Sequence, residues 1–212
     1  MAEPITGARF LAEALRGQGV GHVFFVDAIL RRALIEFEAL GIVRVMAHAE
    51  KAAAYMADGY ARASGRPGVC MAQSVGAANL GAGLQDPFLA RSPVIALTGR
   101  KAPAFQNRNA YQEIEHGPPF AATTKFSARV DDPAQLGSLL AQAFREATTG
   151  SPRPVHLDLA GLQGEIVETA GARCRPARRT PCARWPRRWT RRSRHRSAAA
   201  RSCRPRIASR WA

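Results

Sequence analysis

"HAEKAAAYMADGYARASGRPGVCMAQSVGAANL", residues 48–80, is the stretch on which the reading of this chain turns. Alanine-rich spacing predicts a helix over 50–64, the apolar run "GVCMA" a buried strand over 68–72, and the residues after "QSVGAAN" a second helix over 77–89. The acid at its head raises a question. Glu50 stands where the spacing suggests a buried helix start, and Lys51 is the one basic residue beside it.

Working outward, the same alternation recurs. Thr6 is placed to cap a helix running to about Gln18, with Phe10, Leu11, Ala14 and Leu15 on one face. "GHVFFV" (21–26) reads as a short buried strand, followed by helix 29–40 and strand "IVRVM" (42–46). Beyond residue 80 come strand "PVIALT" (93–98), a long loop over 99–122, helix 133–147 and strand "PVHLDL" (154–159).

Short apolar strands alternating with helices predict an α/β fold, a doubly wound parallel sheet of about six strands with helices on both faces. Strands buried on both sides read as continuous apolar runs. Ligands of such sheets lie outside the carboxyl ends of the strands. Glu50, the turn at 73–79 and the loop after Thr98 each follow a strand and are therefore candidate site segments. "GAGLQD" (81–86) fails the dinucleotide fingerprint, because Asp86 occupies the position of the third glycine.

Composition divides the chain in two. The net charge is +15, yet residues 1–172 carry 16 basic and 16 acidic side chains, and residues 173–212 carry 15 arginines and no acid. That tail has no Leu, Val, Phe or Gly, so it cannot bury enough apolar surface to offset the entropy of ordering and is expected to be disordered. The expected organisation is a domain over 1–172 and an Arg/Pro-rich tail over 173–212. No run approaches the ~20 apolar residues of a membrane span, and the start of the chain lacks the pattern of a signal peptide, so a cytoplasmic location is expected. Cys70 reads as a small core residue. Cys174, Cys182 and Cys203 make no CxxC pair, which argues against a zinc site.

Five segments together carry a more specific signal: "TGARFLAEALRGQGV", "HAEKAAAYMADGYARASGRPGVCMAQSVGAANL", "PVIALTGR", "NAYQEIEH" and "FREATTGSPRPVHLDL". In this order, over about residues 5–168, they resemble the N-terminal, pyrimidine-binding domain of thiamine-diphosphate-dependent enzymes of the acetolactate synthase type. The resemblance implies that Glu50 hydrogen-bonds a ring nitrogen of the cofactor's aminopyrimidine and favours the imino form that activates the thiazolium carbon. A carboxylate in that role is expected to be sheltered from water, since desolvation raises its pKa, and the neighbouring alanines are expected to supply the shelter. Gly76 and Ala77, with Ala78, match the family's small-residue turn, where backbone can approach the pyrimidine. Asn79 can cap or brace that turn. Gln112 matches a glutamine that faces the reaction centre. Each residue also has a plainer reading. Glu50 suits a helix N-terminus, Asn79 an ordinary helix start, and Gln112 a solvent-facing loop.

The chain departs from the family at several positions. "FFVDAIL" puts Asp27 and Ala28 where a glycine-proline-glycine turn is usual, Lys51 replaces a common glutamine, and Val75 a common glycine. These changes bear on the substrate more than on the cofactor. His48 and His116 are possible acid-base groups, although a lone histidine beside a strand is more often structural.

The implied parent activity is decarboxylation of a 2-keto acid, with or without carboligation, in a homodimer or tetramer. Its Mg2+ and diphosphate would be held by a second domain through a Gly-Asp-Gly stretch that these 212 residues do not contain. The protein itself contributes no metal ligands to this expectation. Three readings follow: a truncated or frame-shifted enzyme, the pyrimidine-domain subunit of a split decarboxylase, or a protein that meets nucleic acid nonspecifically through its basic tail. Under the first two, the chain alone is expected to be inactive and to need a diphosphate-binding domain or subunit as partner.

Overall fold

The computed structural model describes residues 5–27, 30–101 and 103–160. The tail, its three cysteines, and Ala28 lie outside the described residues. The element order is α1 (Gly7–Gly17), β1 (His22–Phe25), α2 (Arg31–Ala39), β2 (Val43–Met46), α3 (Glu50–Ser64), β3 (Gly68–Gln73), α4 (Gly76–Ala82), α5 (Gln85–Ala90), β4 (Val94–Arg100), α6 (Gly117–Ala121), β5 (Phe126–Val130), α7 (Pro133–Thr148) and β6 (Val155–Ala160). A 3-10 turn, Pro103–Phe105, follows β4.

The six strands form one sheet in the order β2-β1-β3-β4-β6-β5, and every pairing is parallel. Side chains alternate across it, and the two faces differ in character. Val69 and Met71 of β3 join Ile95, Leu97, Leu157 and the large apolar residues of α1, α2 and α7 on one face. Cys70 and Ala72 join Ala96, Leu80 and the alanines Ala53, Ala54 and Ala57 of α3 on the other.

Small residues on that second face let α3 lie close to the sheet. Gly68, which opens β3, fixes the approach: a Cβ there would sit 2.1 Å from the carbonyl oxygen of Ala57. Seating α3 against β3 in this way is what aims its first residue, Glu50, at the turn after β3.

Local signals account for some of the helix ends. Thr6 caps α1, its Oγ1 accepting from the N–H of Arg9 at 3.2 Å. Asp132 caps α7 in a capping box with Gln135. Gly65, at φ 66°, ends α3 in the left-handed conformation.

Three sequence expectations need correction. The helix expected over 77–89 is two, α4 and α5, broken at Gly83 and Leu84. Pro87 has no N–H to return to Gly83, and its ring would crowd that carbonyl in a continuous helix. The loop expected over 99–122 gives up Gly99 and Arg100 to β4 and residues 117–121 to α6. Strand β5 was not legible, because "FSARV" is an edge strand with an alternating, partly polar pattern and carries no continuous apolar run.

Among the described residues, no helix is long and apolar enough to cross a membrane.

Candidate functional site

In an all-parallel sheet every strand ends on the same edge, so the turns after β2, β3 and β4 open together. Strand β1 lies between β2 and β3, and the connections through α2 and α3 pack on opposite faces of the sheet, the switch in strand order at which parallel α/β sheets open a crevice. Glu50 begins α3 after β2, Gly76, Ala77 and Asn79 begin α4 after β3, and Gln112 lies in the segment after β4.

Glu50, Gly76 and Asn79 meet. The side-chain amide of Asn79 donates to Oε2 of Glu50 at 3.3 Å. Gly76 lies directly beneath the same carboxyl group: a Cβ at this position would stand 2.5 Å from Oε1 and 3.0 Å from the carboxyl carbon. The turn is thus a cradle that only glycine leaves open. Ala77 is fully buried behind it, in the cluster with Ala53, Ala54 and Leu80.

Gln112 stands apart from this group. Its side-chain amide donates to the hydroxyl of Tyr111 at 3.3 Å, and among the described residues no hydrogen bond joins it to Glu50.

Shelter for Glu50 is less than the sequence suggests. The alanines pack beneath α3, under the sheet face, while Glu50 itself is half-buried and Asn79 is exposed. Helix periodicity explains the difference. Ala53, Ala54, Ala57 and Ala61 share the buried stripe of α3, and Glu50 occupies the end of that stripe, where the helix meets the crevice.

The turn also holds a residue that the sequence did not mark. Ser74 takes φ 46°, and its buried hydroxyl has no hydrogen-bond partner among the described residues. Val75, by contrast, has φ −58° and ψ −29°, which any residue adopts. The glycine-like backbone therefore falls on Ser74, and the valine at 75 imposes no strain. The space above Gly76 is thus held by the Glu50 carboxyl group itself, and the half-buried carboxylate, with Asn79 donating to one of its oxygens, is an acceptor that suits a nitrogen heterocycle.

Beside the crevice lies a buried polar network that sequence reasoning missed. Thr98 Oγ1 lies 2.7 Å from His156 Nε2 and donates to Asp158 Oδ1 at 3.0 Å. His116 Nδ1 reaches the same Asp158 oxygen at 2.8 Å, and Ser127 Oγ lies 2.8 Å from His156 Nδ1. Arg100 Nε stands 2.9 Å from Asp158 Oδ2, an ion pair poorly aligned for a hydrogen bond.

One proton arrangement satisfies these contacts. With Thr98 donating to the carboxylate, His156 donates to Thr98 from Nε2 and accepts from Ser127 at Nδ1. Burial holds His156 neutral, its pKa pushed down to about 3 against weaker opposing attraction from Asp158. Phe120 stacks flat on its ring at 3.7 Å between centroids. The period-two polar positions of "VHLDL" put His156 and Asp158 on one face of β6, a signal present in the sequence. His116, a candidate acid-base group, is fully buried in this network, whereas His48 is exposed. Asp27 lies exposed after β1, 3.8 Å from Arg31.

Among the described residues, no group of three or more His, Cys, Asp or Glu side chains is placed to hold a metal ion. Cys70 is a free, buried thiol whose pKa burial raises.

Comparison with known proteins bears on the fold and the family. A solved structure from Mycobacterium smegmatis, described as a thiamin diphosphate-dependent enzyme, superposes with a TM-score of 0.73 over 82% of this chain and 33% of its own, at 21% identity, which establishes likeness of fold. The probable acetolactate synthase large subunit of Methanocaldococcus jannaschii is 39% identical over 163 residues, 72% of this chain and 26% of the relative. Acetolactate synthase isozyme 2 large subunit of Escherichia coli K12 is 38% identical over 159 residues, 73% of this chain and 29% of the relative. The chain thus spans between a quarter and three tenths of the length of these relatives. Residues 5–118 match the family described as thiamine pyrophosphate enzyme, N-terminal TPP binding domain. With that match covering more than half of its residues, the chain belongs to the thiamine pyrophosphate enzyme family, as an N-terminal TPP-binding domain of the acetolactate synthase type.

Proposed function

We propose that residues 5–160 hold the aminopyrimidine half of thiamine diphosphate in a 2-keto acid decarboxylase or carboligase, with Glu50 as the proton partner of the ring. The observation that carries this reading is the Glu50 carboxylate, held over the open cradle of Gly76 and braced by Asn79.

When bound, the cofactor supplies the carbon nucleophile and electron sink that decarboxylation requires. This chain's residues do the rest on the pyrimidine side. Glu50 shares a proton with a ring nitrogen through one carboxyl oxygen while Asn79 holds the other, which fixes the carboxylate plane. The bare Cα of Gly76 makes room for the Glu50 carboxyl group, and the buried Ala77 anchors the turn that carries Gly76. Gln112, on the segment after β4, faces the reacting centre.

The half-exposed state of Glu50 supports the need for a second surface. A diphosphate-binding domain or subunit, bringing its own Mg2+ site, would close over the crevice, expel water and complete the shelter the carboxylate needs. The 212 residues by themselves then bind the cofactor weakly and do not turn over.

The test is to assemble the chain with a diphosphate-binding domain of an acetolactate synthase-type enzyme and measure 2-keto acid decarboxylation. Glu50→Gln keeps the shape and loses the proton, so kcat should fall by about 10² to 10⁴, the usual range for a lost acid-base group, with the fold intact. Equal rates for Glu50→Gln and the unaltered protein would remove the reading, as would turnover by the 212 residues alone.

A further inference from the structure

We propose that Glu113 is the positioning residue for Gln112: its carboxylate gathers the backbone of residues 107–110 and so fixes the left-handed backbone from which Gln112 projects. The functional meaning of this rests on the reading of Gln112 above; the clamp itself does not.

Residues 106–116 contain no helix or strand, so their N–H groups have no regular ladder to join. One side chain takes that place. Glu113 Oε1 accepts from the N–H of Asn107 at 2.5 Å, and Oε2 accepts from Arg108 at 3.3 Å and Ala110 at 3.0 Å. The N–H of Glu113 returns to the carbonyl of Ala110 at 3.0 Å, closing a turn across Gln112. At the base of the segment, Gln106 donates to the carbonyl of Lys101 at 2.6 Å.

The backbone so held is one the residues would not choose unaided. Asn107, Asn109 and Gln112 have φ 60°, 50° and 60°. Asparagine tolerates this region through local hydrogen bonding, and glutamine does so far less. Among the described residues, one side-chain hydrogen bond is made by Gln112. Its amide meets only the hydroxyl of Tyr111, and Tyr111 is 84% exposed.

Charge agrees with the geometry. The three N–H donors and the nearby Lys101 hold the Glu113 carboxyl below its usual range, so it is ionised at neutral pH. Arg100, Lys101 and Glu115 share the small cavity it lines, with Gln106 and Ile114.

The experiment uses the full chain, labelled with ¹⁵N, and needs no cofactor. In the unaltered protein, the amides of Asn107, Arg108 and Ala110 should be protected from exchange and the Gln112 amide should be ordered, with a heteronuclear NOE close to that of α1. Glu113→Ala and Glu113→Gln should each speed exchange of the three amides by about tenfold or more, as for a loop opened locally. The Gln112 amide should move toward its random-coil shift and lose order, while Gln18 and Gln135 keep theirs and report an intact fold. Exchange rates within twofold of the unaltered protein in both variants would overturn the proposal. So would loosened amides around a Gln112 that keeps its shift and order. Failure of the thiamine reading leaves both outcomes unchanged.

Discussion

Asn79 and Glu50 lie 29 residues apart in sequence and meet at 3.3 Å across the crevice, amide to carboxylate, with the bare Cα of Gly76 beneath them. The bond joins the first turn of α3 to the first turn of α4, so the carboxylate is set by two helices at once. Its position depends on both the packing of α3 on β3 and the shape of the turn after β3.

Gly76→Ala tests that dependence. The added Cβ would stand 2.5 Å from Glu50 Oε1, a contact relieved by swinging the end of a side chain. Stability should therefore change little, by less than about 1 kcal/mol in urea unfolding. In the assembled enzyme, decarboxylation should fall by at least about tenfold, because a carboxylate displaced by an ångström no longer meets its ring nitrogen. Unchanged activity would show that the open cradle is incidental.

Acid should destabilise the chain earlier than its carboxylates alone would require. His156 has a folded pKa of about 3 against an ordinary 6.5. Between those values the unfolded chain binds the proton and the folded chain does not, so stability is fully present above 6.5 and falls as pH drops toward 3. The limiting slope is about 1.4 kcal/mol per pH unit for one proton. Urea unfolding from pH 7 to 5, where aspartate and glutamate remain mostly ionised, should show this loss. A flat profile over that range would mean that His156 takes up its proton while folded.

Asp58→Asn should cost stability, although the residue looks like a surface acid in the middle of α3. Asp58 is nearly buried and holds Arg62 through two contacts, Nε to Oδ1 at 2.9 Å and Nη2 to Oδ2 at 2.6 Å. An amide can accept only one of these N–H groups and leaves the second unpaired. A loss of roughly 1–2 kcal/mol is expected, with the cradle intact. Thermal unfolding of the variant checks the first point, and its activity in the assembled enzyme the second.

How much of this was legible in the sequence follows from what each signal requires. Periodicity reports burial along one element, so the apolar runs of β1, β3, β4 and β6 and the stripes of α1, α3 and α7 determined the parallel sheet with helices on both faces. The five matching segments determined the family, and with it Glu50, Gly76, Ala77, Asn79 and Gln112 as candidates. Edge strand β5 escaped because a strand buried on fewer sides has no continuous apolar run. The break between α4 and α5 was written in Pro87, though the apolar pattern ran through it.

Tertiary structure alone decided contacts between residues far apart in the chain. No spacing rule brings Asn79 to Glu50 or gathers Thr98, His116, His156 and Asp158 around one proton arrangement, since each depends on which strands become neighbours. Strand order put β4 beside β6, and the close seat of α3 on Gly68 put Glu50 over Gly76. The half-exposure of Glu50 has the same origin. The sequence shows alanines beside it, while the helix axis turns them toward the sheet and leaves the carboxylate half-exposed at the end of the helix.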